Sequence, residues 1–215
     1  AHLVEALGAG ANDYLTDSMD VAVSVARVRT QLMLRQAMRG LERANARLHK
    51  QSYADALTGI ANRRRFDEFL ADEWQRAQLG HTPIALVMLD IDGFKALNDV
   101  LGHAAGDDAL RRIGAALAAA VLRSEDLVAR YGGEEFALVL PGVPIEGARV
   151  VAERVRKAIV DLQVPHPDLP GGILTVSGGA ASVVPAWGSR PGTLVRQADA
   201  ALYRAKRNGR DCIAL

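Results

Sequence analysis

The feature that most constrains the fold is one uninterrupted apolar run, IALVMLDI, at residues 84–91. A strand with one face in water alternates apolar and polar residues, so a continuous run predicts a strand that is buried on both faces. Asp90 stands near the end of this run, and a carboxylate left unpaired inside a core is unfavourable. We therefore expect Asp90 either to emerge at the edge of the sheet or to lie beside a cation.

The elements around this strand follow the order strand, helix, hairpin, helix, strand. This order is typical of the split βαβ, or ferredoxin-like, fold of the α+β class. The other predicted elements are helices over about 62–79, 94–101, 107–122, 145–161 and 192–207, hairpin strands over 126–131 and 135–141, and strands over 173–184 and 211–214.

A long helix is predicted to precede this domain. Residues 21–54 contain no proline and one glycine, Gly40, and such a composition favours an unbroken helix. The sequence therefore divides into a short segment over 1–20, a helical stalk over 21–54 and a globular domain over 55–215.

The stalk carries the spacing of a coiled coil. Leu34, Met38, Leu41, Asn45 and Leu48 alternate at intervals of four and three residues, and a lone polar residue at the position of Asn45 can fix register and favour two strands. The pattern covers only about two heptads. An amphipathic helix packed on its own domain explains it equally well.

Charge and composition exclude several classes of protein. The 26 Lys and Arg residues nearly balance 25 Asp and Glu residues, so no basic groove for a nucleic-acid polymer is expected. A single cysteine, Cys212, excludes a disulfide framework and fits a reducing compartment. No apolar run approaches the roughly 20 residues needed to span a bilayer. The chain begins at Ala1 rather than methionine, and we expect a cytoplasmic fragment.

The hairpin is built on the motif RYGGEEF at residues 130–136, with two glycines before two acids. Glycine permits positive φ and lets a ligand approach the backbone, so Gly132 and Gly133 suit either a plain turn or a ligand contact. Successive strand residues face opposite sides, and we favour Glu134 over Glu135 as the acid that faces Asp90 because it lies nearer the turn.

Carboxylate oxygens from two neighbouring strands would suit Mg²⁺. Exposed acids at strand ends, the fate of most Asp and Glu residues, are the competing explanation. A further polar segment, DGFKALNDVLGHAAGDDAL, follows Asp90. Its Asn98 and Asp107 offer the donors and acceptors that can bind a purine edge, and Lys95 could offset phosphate charge.

Each of these residues also has an ordinary explanation. Asp107 suits a helix start, and Lys95 a solvated side chain. Near the C-terminus, Lys206 and Arg210 could bind phosphate or simply form a basic helix end. The residues alone therefore predict a metal-dependent nucleotide site on a ferredoxin-like sheet.

Together the motifs resemble one family. Residues from about 55 to 215 are similar to the GGDEF family of diguanylate cyclases, with GGEEF in place of the family's namesake motif. The matching motifs, in order, are DALTGIANRR, DIDGFKALND, GHAAGDDAL, RYGGEEF and ADAALYRAKRNGRD. The resemblance implies a nucleotidyl-cyclase, palm-type domain that condenses two GTP molecules into cyclic di-GMP and pyrophosphate in signal transduction.

The resemblance also implies a role for each matching position. Asp90, the carbonyl of Ile91 and Glu134 match ligands of Mg²⁺, for which Mn²⁺ could substitute. Glu134 also matches a residue that activates the 3′-hydroxyl, and Glu135 one that helps to hold a second metal. Lys95 matches a transition-state stabiliser. The positions matching nucleotide contacts are Asn98, His103 and Asp107 for guanine, Lys206 and Arg210 for phosphate, and Gly132 and Gly133 at the hairpin.

Two further expectations follow from the family. Attack by the 3′-hydroxyl of one GTP on the α-phosphorus of another requires two active sites face to face, which implies a homodimer, with the stalk as a route to a higher oligomer. The tetrapeptide RSED, from Arg123 to Asp126, matches an RxxD site at which the product inhibits. Arg154 matches an arginine that joins this site from a neighbouring domain.

The N-terminal segment resembles the end of a response-regulator receiver. The string EALGAGANDYLTDSMD is followed by VSVARVRTQLMLR, which matches a last strand, a last helix and an outgoing stalk, so 1–20 is identified as a truncated receiver remnant. Asp17 and Ser18 stand where receivers carry Lys-Pro. The lysine that normally contacts the phosphoryl group is therefore absent from this position.

Three alternatives to an enzyme of this family are open. A degenerate GGDEF domain could bind cyclic di-GMP or GTP as a receptor without catalysis, but the full set of motif residues favours the enzyme. A dimerisation device built on the coiled coil would not need that set. A polymerase palm would share the sheet and the metal acids, but not the RYGGEEF hairpin or the RSED turn.

Overall fold

The computed structural model describes residues 20–51 and 53–215, with side chains described for 20–40 and 53–215. The backbone divides into two compact units, Ala1–Ser52 and Tyr53–Leu215. In the first unit, helix α1 spans Val21–Gln51, where a helix over 21–54 was predicted, and its role as a stalk stays a prediction. Its start is capped by Asp20, whose Oδ1 accepts the backbone N–H of Ala22 at 2.6 Å.

The proposed receiver remnant over 1–20 lies outside the described residues, apart from Asp20. On α1, the side chains of Leu34 and Met38 are 54% and 57% exposed. The side chains of Leu41, Asn45 and Leu48 lie outside the described part, and the coiled coil stays a prediction. No helix in the described ranges is long and apolar enough to cross a bilayer.

The second unit is a five-stranded sheet covered by helices on both faces. The strands, in spatial order β2-β3-β1-β4-β5, are β1 (Ile84–Ile91), β2 (Leu127–Arg130), β3 (Glu135–Pro141), β4 (Val176–Val183) and β5 (Ile213–Ala214). The helices are α2 (Arg63–Gly80), α3 (Phe94–Leu101), α4 (His103–Ala120), α5 (Ile145–Val160) and α6 (Gly192–Arg207). The first four strands have the ferredoxin-like order, so the predicted fold class is confirmed.

Strand β1 is the centre of this sheet. It pairs antiparallel with β3 on one side and β4 on the other, and all eight of its residues are buried. Alternate side chains enter two cores. One core contains Val87 and Leu89 with side chains from α4 and α5, and the other contains Leu86 and Met88 with side chains from α2 and α6. The continuous apolar run is explained by this two-sided burial.

Two predicted element starts differ from the structure by three residues or more. Helix α4 begins at His103 rather than Asp107. Gly102, with φ of 83°, interrupts the helical conformation between α3 and α4, and the new helix starts directly after it. The prediction of Asp107 as a helix start is therefore wrong. Strand β4 begins at Val176 rather than at residue 173, since the backbone of Leu174 instead bonds to the Val164 carbonyl at 2.8 Å.

Close packing of α6 on β4 sets the position of the last helix. A side chain at Gly179 would collide with the backbone of Ala198 and Leu202, so only glycine allows the helix to lie directly on the strand. The C-terminal end of α6, with Lys206, is thereby fixed near the end of β1 that carries Asp90.

Candidate active site

The acids predicted to converge do meet at one rim of the sheet. Asp90 is opposite Glu135 in the β1–β3 register, and the N–H of Ile91 donates to the Glu134 carbonyl at 3.3 Å. Asp90 is only 7% exposed. The end of the buried strand and the start of the hairpin strand therefore lie side by side, and each carries acids of the motif.

The alternation argument for choosing between the two hairpin acids does not apply. Strand β3 begins at Glu135, so Glu134 precedes the regular strand. Register places Glu135 on the same face as Asp90, but its Oε2 lies over Gly132, 2.5 Å from where a Cβ would stand. Burial raises the pKa of Glu134, and the negative charge of Asp90 raises it further, so Glu134 lies within electrostatic reach of Asp90. Electrostatics thus support the choice of Glu134.

Two basic residues from the C-terminal region complete this rim. The Lys206 ammonium lies 2.7 Å from Asp90 Oδ2. Burial raises the pKa of Asp90, while the hydrogen bond and charge of Lys206 oppose the increase and the charge of Arg210 opposes it further. Lys206 and Arg210, the two residues expected to bind phosphate, are therefore close enough to Asp90 to lower its pKa.

The donors at this rim fit a divalent cation. Asp90 and Glu134 supply oxygen atoms, and the charge of Asp90 disfavours the ionised form of Glu134. A cation between them would offset this repulsion. An ammonium already lies against Asp90. Among the described residues no three His, Cys, Asp or Glu side chains form a metal cluster. A cation here would need backbone oxygens and nucleotide phosphates as further ligands, which is usual for Mg²⁺.

A clamp that sequence reasoning missed holds the diglycine bend. Arg130 donates to the Gly133 carbonyl from Nη2 at 2.6 Å and from Nε at 3.1 Å. Its Nη1 lies 3.2 Å from Asp55 Oδ1, and Asp55 Oδ1 also accepts the N–H and hydroxyl of Thr58 at 2.9 and 2.7 Å. The Asp-x-x-Thr pattern in DALTG is a signal for such a turn.

The electrostatics of this clamp favour an ionised Asp55. Burial alone would raise the pKa of Asp55, but hydrogen bonds from Thr58 and Arg130 and the arginine charge outweigh it and lower the pKa below the ordinary value. The shape of the Gly132–Gly133 bend therefore depends on a charged pair formed with the N-terminal end of the same unit.

The residues expected to bind guanine lie on α3 and α4. Lys95 and Asn98 are on α3, while His103 and Asp107 are on the first two turns of α4 and are exposed. Any side chain at Gly106 would overlap Asn98 Oδ1, so Asn98 lies directly against the turn that carries Asp107. The structure thus brings Asn98 close to the turn that carries Asp107. Lys95 and His103 are exposed on the same two helices.

The three residues of the expected inhibitory site also come together. Arg123 Nη1 lies 3.7 Å from Asp126 Oδ1 and donates to the Pro141 carbonyl at 3.2 Å. Burial raises the pKa of Asp126, and the charges of Arg123 and Arg154 oppose the increase. Asp126 Oδ1 is buried without a hydrogen-bond partner. A buried oxygen in that state needs a donor from elsewhere.

Known proteins match this chain over most of its length. The family profile "Diguanylate cyclase, GGDEF domain" matches residues 52–212. The response regulator PleD of Caulobacter vibrioides is 35% identical over 213 residues, 98% of this chain and 46% of PleD. The diguanylate cyclase DgcP of Pseudomonas aeruginosa is 40% identical over 163 residues, 75% of this chain and 24% of DgcP. The chain spans half or less of these relatives' lengths.

Solved structures give the same result. The GGDEF domain of DgcB from Caulobacter crescentus in complex with c-di-GMP has a TM-score of 0.69 at 35% identity, covering 76% of this chain and 92% of that one. The coiled coil and GGDEF domain of the same protein has a TM-score of 0.71 at 31% identity, covering 86% and 98%. Profile, relatives and structures agree with the motifs, and the chain belongs to the GGDEF diguanylate cyclase family.

Proposed function

We propose that this chain is an active diguanylate cyclase that condenses two GTP molecules into cyclic di-GMP with release of two pyrophosphates. The observation that carries the proposal is the rim at which Asp90, Glu134 and Lys206 meet, with the Lys206 ammonium 2.7 Å from Asp90 Oδ2. Burial raises the pKa values of both carboxylates, and such shifts are frequent at catalytic sites.

The proposed metal site consists of the Asp90 carboxylate, the Ile91 carbonyl and the Glu134 carboxylate, with Glu135 near a second cation. When bound, Mg²⁺ or Mn²⁺ lowers the pKa of an attacking oxygen and offsets charge on the transferred phosphoryl group. Glu134 is the proposed acceptor of the proton from the 3′-hydroxyl, because its raised pKa makes it a stronger base than an ordinary carboxylate.

The remaining residues bind and orient the nucleotide. Lys206 and Arg210 are proposed to bind phosphate oxygens, and Lys95 to stabilise charge in the transition state. Asn98 and Asp107 supply donors and acceptors for the guanine edge, with His103 beside them. The Gly132–Gly133 bend, held by Arg130, allows the triphosphate to approach the backbone without side chains in between.

The proposed catalytic unit is a homodimer, since each GTP must be attacked by the other. Helix α1 is the proposed stalk that sets the distance between two catalytic domains. The match to PleD over 98% of this chain supports a receiver remnant before that stalk. The match to the coiled coil and GGDEF domain of DgcB supports the coiled-coil interpretation.

Product inhibition is proposed at Arg123, Asp126 and Arg154. Asp126 Oδ1 has no hydrogen-bond partner and lies beside two arginines. This arrangement suits a ligand that has both donors and anionic groups, as a guanine nucleotide does. The complex of the DgcB domain with c-di-GMP supports binding of such a ligand within this family.

Product analysis tests the proposed activity. The chain is incubated with GTP and Mg²⁺, and the nucleotides are separated by chromatography, with a chelator-treated sample as the control. We expect cyclic di-GMP and pyrophosphate in the Mg²⁺ sample alone. Intact GTP, together with tight binding of cyclic di-GMP, would instead establish an inactive receptor.

A further inference from the structure

Asp92 is a buried carboxylate one residue beyond the proposed metal ligand Ile91. It is 1% exposed. Its Oδ1 accepts the Ser177 hydroxyl at 2.7 Å, and its Oδ2 accepts the Thr175 hydroxyl at 2.7 Å and the backbone N–H of Asp211 at 3.1 Å. In residues 53–215 no lysine or arginine forms an ion pair with it.

A buried carboxylate without a cation is unfavourable unless several donors stabilise it. Three neutral donors do so here, and they come from two different segments. Thr175 and Ser177 belong to the β4 region, while the Asp211 N–H belongs to the turn after α6. Asp92 therefore joins the end of β1, the start of β4 and that turn at one point.

The turn needs such support because its backbone is unusual. Arg210 and Asp211 have φ of 66° and 44°, and successive non-glycine residues rarely adopt this left-handed region. Three contacts hold the conformation. The backbone N–H of Arg210 donates to the Ala205 carbonyl at 3.2 Å. Asp92 accepts the Asp211 N–H, and Arg156 Nη1 lies 2.6 Å from Asp211 Oδ1.

This turn carries Arg210, one of the proposed phosphate ligands. The charge of Arg210 lowers the pKa of Asp90, whereas the charge of Asp92 raises it. Both residues therefore lie within electrostatic reach of the acid rim. Arg210 itself is exposed, and its backbone is anchored by the residue that follows it.

We propose that Asp92 is a positioning residue that fixes the Arg210–Asp211 turn so that the Arg210 guanidinium meets the phosphates of GTP. It acts through its bond to the Asp211 N–H and does not touch the nucleotide. The inference rests on the proposed function, because it assigns how one phosphate ligand of that site is held.

The test is a double-mutant cycle between Asp92 and Arg210. Asp92→Asn keeps the volume of the side chain but replaces one acceptor oxygen by a donor. Affinity for a GTP analogue with a non-cleavable α,β bridge, with Mg²⁺ present, is measured by calorimetry on the full chain for the wild type, Asp92→Asn, Arg210→Ala and the double variant. Asp99→Asn, which removes an exposed carboxylate on α3, is the matched control.

We expect Asp92→Asn to weaken analogue binding about tenfold, the effect of losing one well-placed charged contact. In the Arg210→Ala background the same substitution should change affinity by less than about twofold, because the two residues act together. Equal losses in both backgrounds, or no loss in the wild-type background, would overturn the inference. Asp99→Asn should bind as the wild type does.

If Asp92→Asn fails to fold, Thr175→Val replaces it in the same cycle, with a smaller loss expected that again depends on Arg210. The outcome is separable from the proposed function, because binding needs no turnover. Analogue binding by a wild type that makes no cyclic di-GMP would refute the activity and keep the role of Asp92. Normal cyclic di-GMP synthesis by the wild type, with unchanged analogue binding in Asp92→Asn, would support the activity and refute the role of Asp92.

Discussion

Lys206 and Asp90 form an ion pair in which the ammonium nitrogen lies 2.7 Å from Oδ2. Asp90 is also the proposed ligand of a divalent cation, so the lysine and the cation compete for one carboxylate. Lys206 is at the same time a proposed phosphate ligand. The arrival of a cation together with a nucleotide would release the lysine from Asp90 and give it a new anionic partner.

Lys206→Gln should therefore change cation and nucleotide binding in opposite directions. Without nucleotide, Mn²⁺ affinity measured by electron paramagnetic resonance should rise about threefold to tenfold, because a competing positive charge is removed. Affinity for a GTP analogue should fall about tenfold, because a charged phosphate contact is lost. Arg207→Gln, which removes a charge from an exposed neighbour on α6, is the control. A Lys206→Gln variant with lower Mn²⁺ affinity would contradict the competition.

Glu134→Gln should reduce cyclic di-GMP synthesis at least about a hundredfold, since it removes a charged ligand at the reacting centre. The rate is measured by chromatography at saturating GTP and Mg²⁺. Glu146→Gln, at an exposed position in the first turn of α5, should synthesise at the normal rate. A Glu134→Gln variant with near-normal rate would refute the proposed metal role.

The same substitution should stabilise the protein when no metal is present. Burial and the charge of Asp90 raise the folded-state pKa of Glu134 above the ordinary 4.5, so the folded state binds a proton more tightly than the unfolded chain does. Protonated Glu134 therefore stabilises the folded state at low pH, and this contribution is lost as pH rises through the raised pKa of Glu134. In thermal unfolding, Glu134→Gln should gain about 1–2 °C near pH 8 and nothing near pH 4. A rise in the unfolding temperature of Glu134→Gln near pH 4 alone would contradict the raised pKa of Glu134.

Asp55→Asn should destabilise the fold through the hairpin clamp. The side chains of Arg130 and Asp55 are 16% and 21% exposed, so losing their charge pairing should cost about 1–2 kcal/mol near neutral pH. The pKa of Asp55 is lower in the folded state than in the unfolded chain. Ionised Asp55 therefore stabilises the fold at pH values above its unfolded-state pKa, and this contribution is lost as pH falls through its folded-state pKa. Urea unfolding at several pH values measures this. Asp72→Asn, exposed on α2, should show no such loss.

Arg123→Ala should relieve product inhibition and keep synthesis intact. The arginine lies beside Asp126 and bonds to the Pro141 carbonyl, at the end of β3 opposite Glu135. Loss of a guanidinium contact there should raise the inhibition constant for cyclic di-GMP at least about tenfold. Initial rates at increasing cyclic di-GMP concentration give this constant. Arg149→Ala, exposed on the same helix as Arg154, is the matched control. An unchanged inhibition constant in Arg123→Ala would show that the RSED turn is not the inhibitory site.

Local patterns predicted most of the fold. The continuous apolar run identified β1, because such a pattern depends only on neighbours in the chain. The start of α4 was missed because the break depends on the backbone angle of Gly102, which is φ of 83°. A sequence pattern indicates that glycine permits such an angle but not that the chain adopts it.

The supporting contacts of the site were harder to predict. Asp92 bonds to hydroxyls 83 and 85 residues away and to an N–H 119 residues away, and Arg130 pairs with Asp55 across 75 residues. Such contacts exist only after the sheet has formed, so no local spacing encodes them. The motif acids could be predicted because their neighbouring strands follow from the fold class, whereas their supporting residues could not.

The central claim is that Asp90 and Glu134 hold the same divalent cation when nucleotide is bound. Crystals of the chain with Mn²⁺ and a non-cleavable GTP analogue, measured for anomalous scattering of manganese, test it most directly. We expect an anomalous peak about 2.0–2.3 Å from a carboxylate oxygen of each residue. A peak that contacts only one of the two carboxylates, or a bound nucleotide with no peak between them, would contradict the claim.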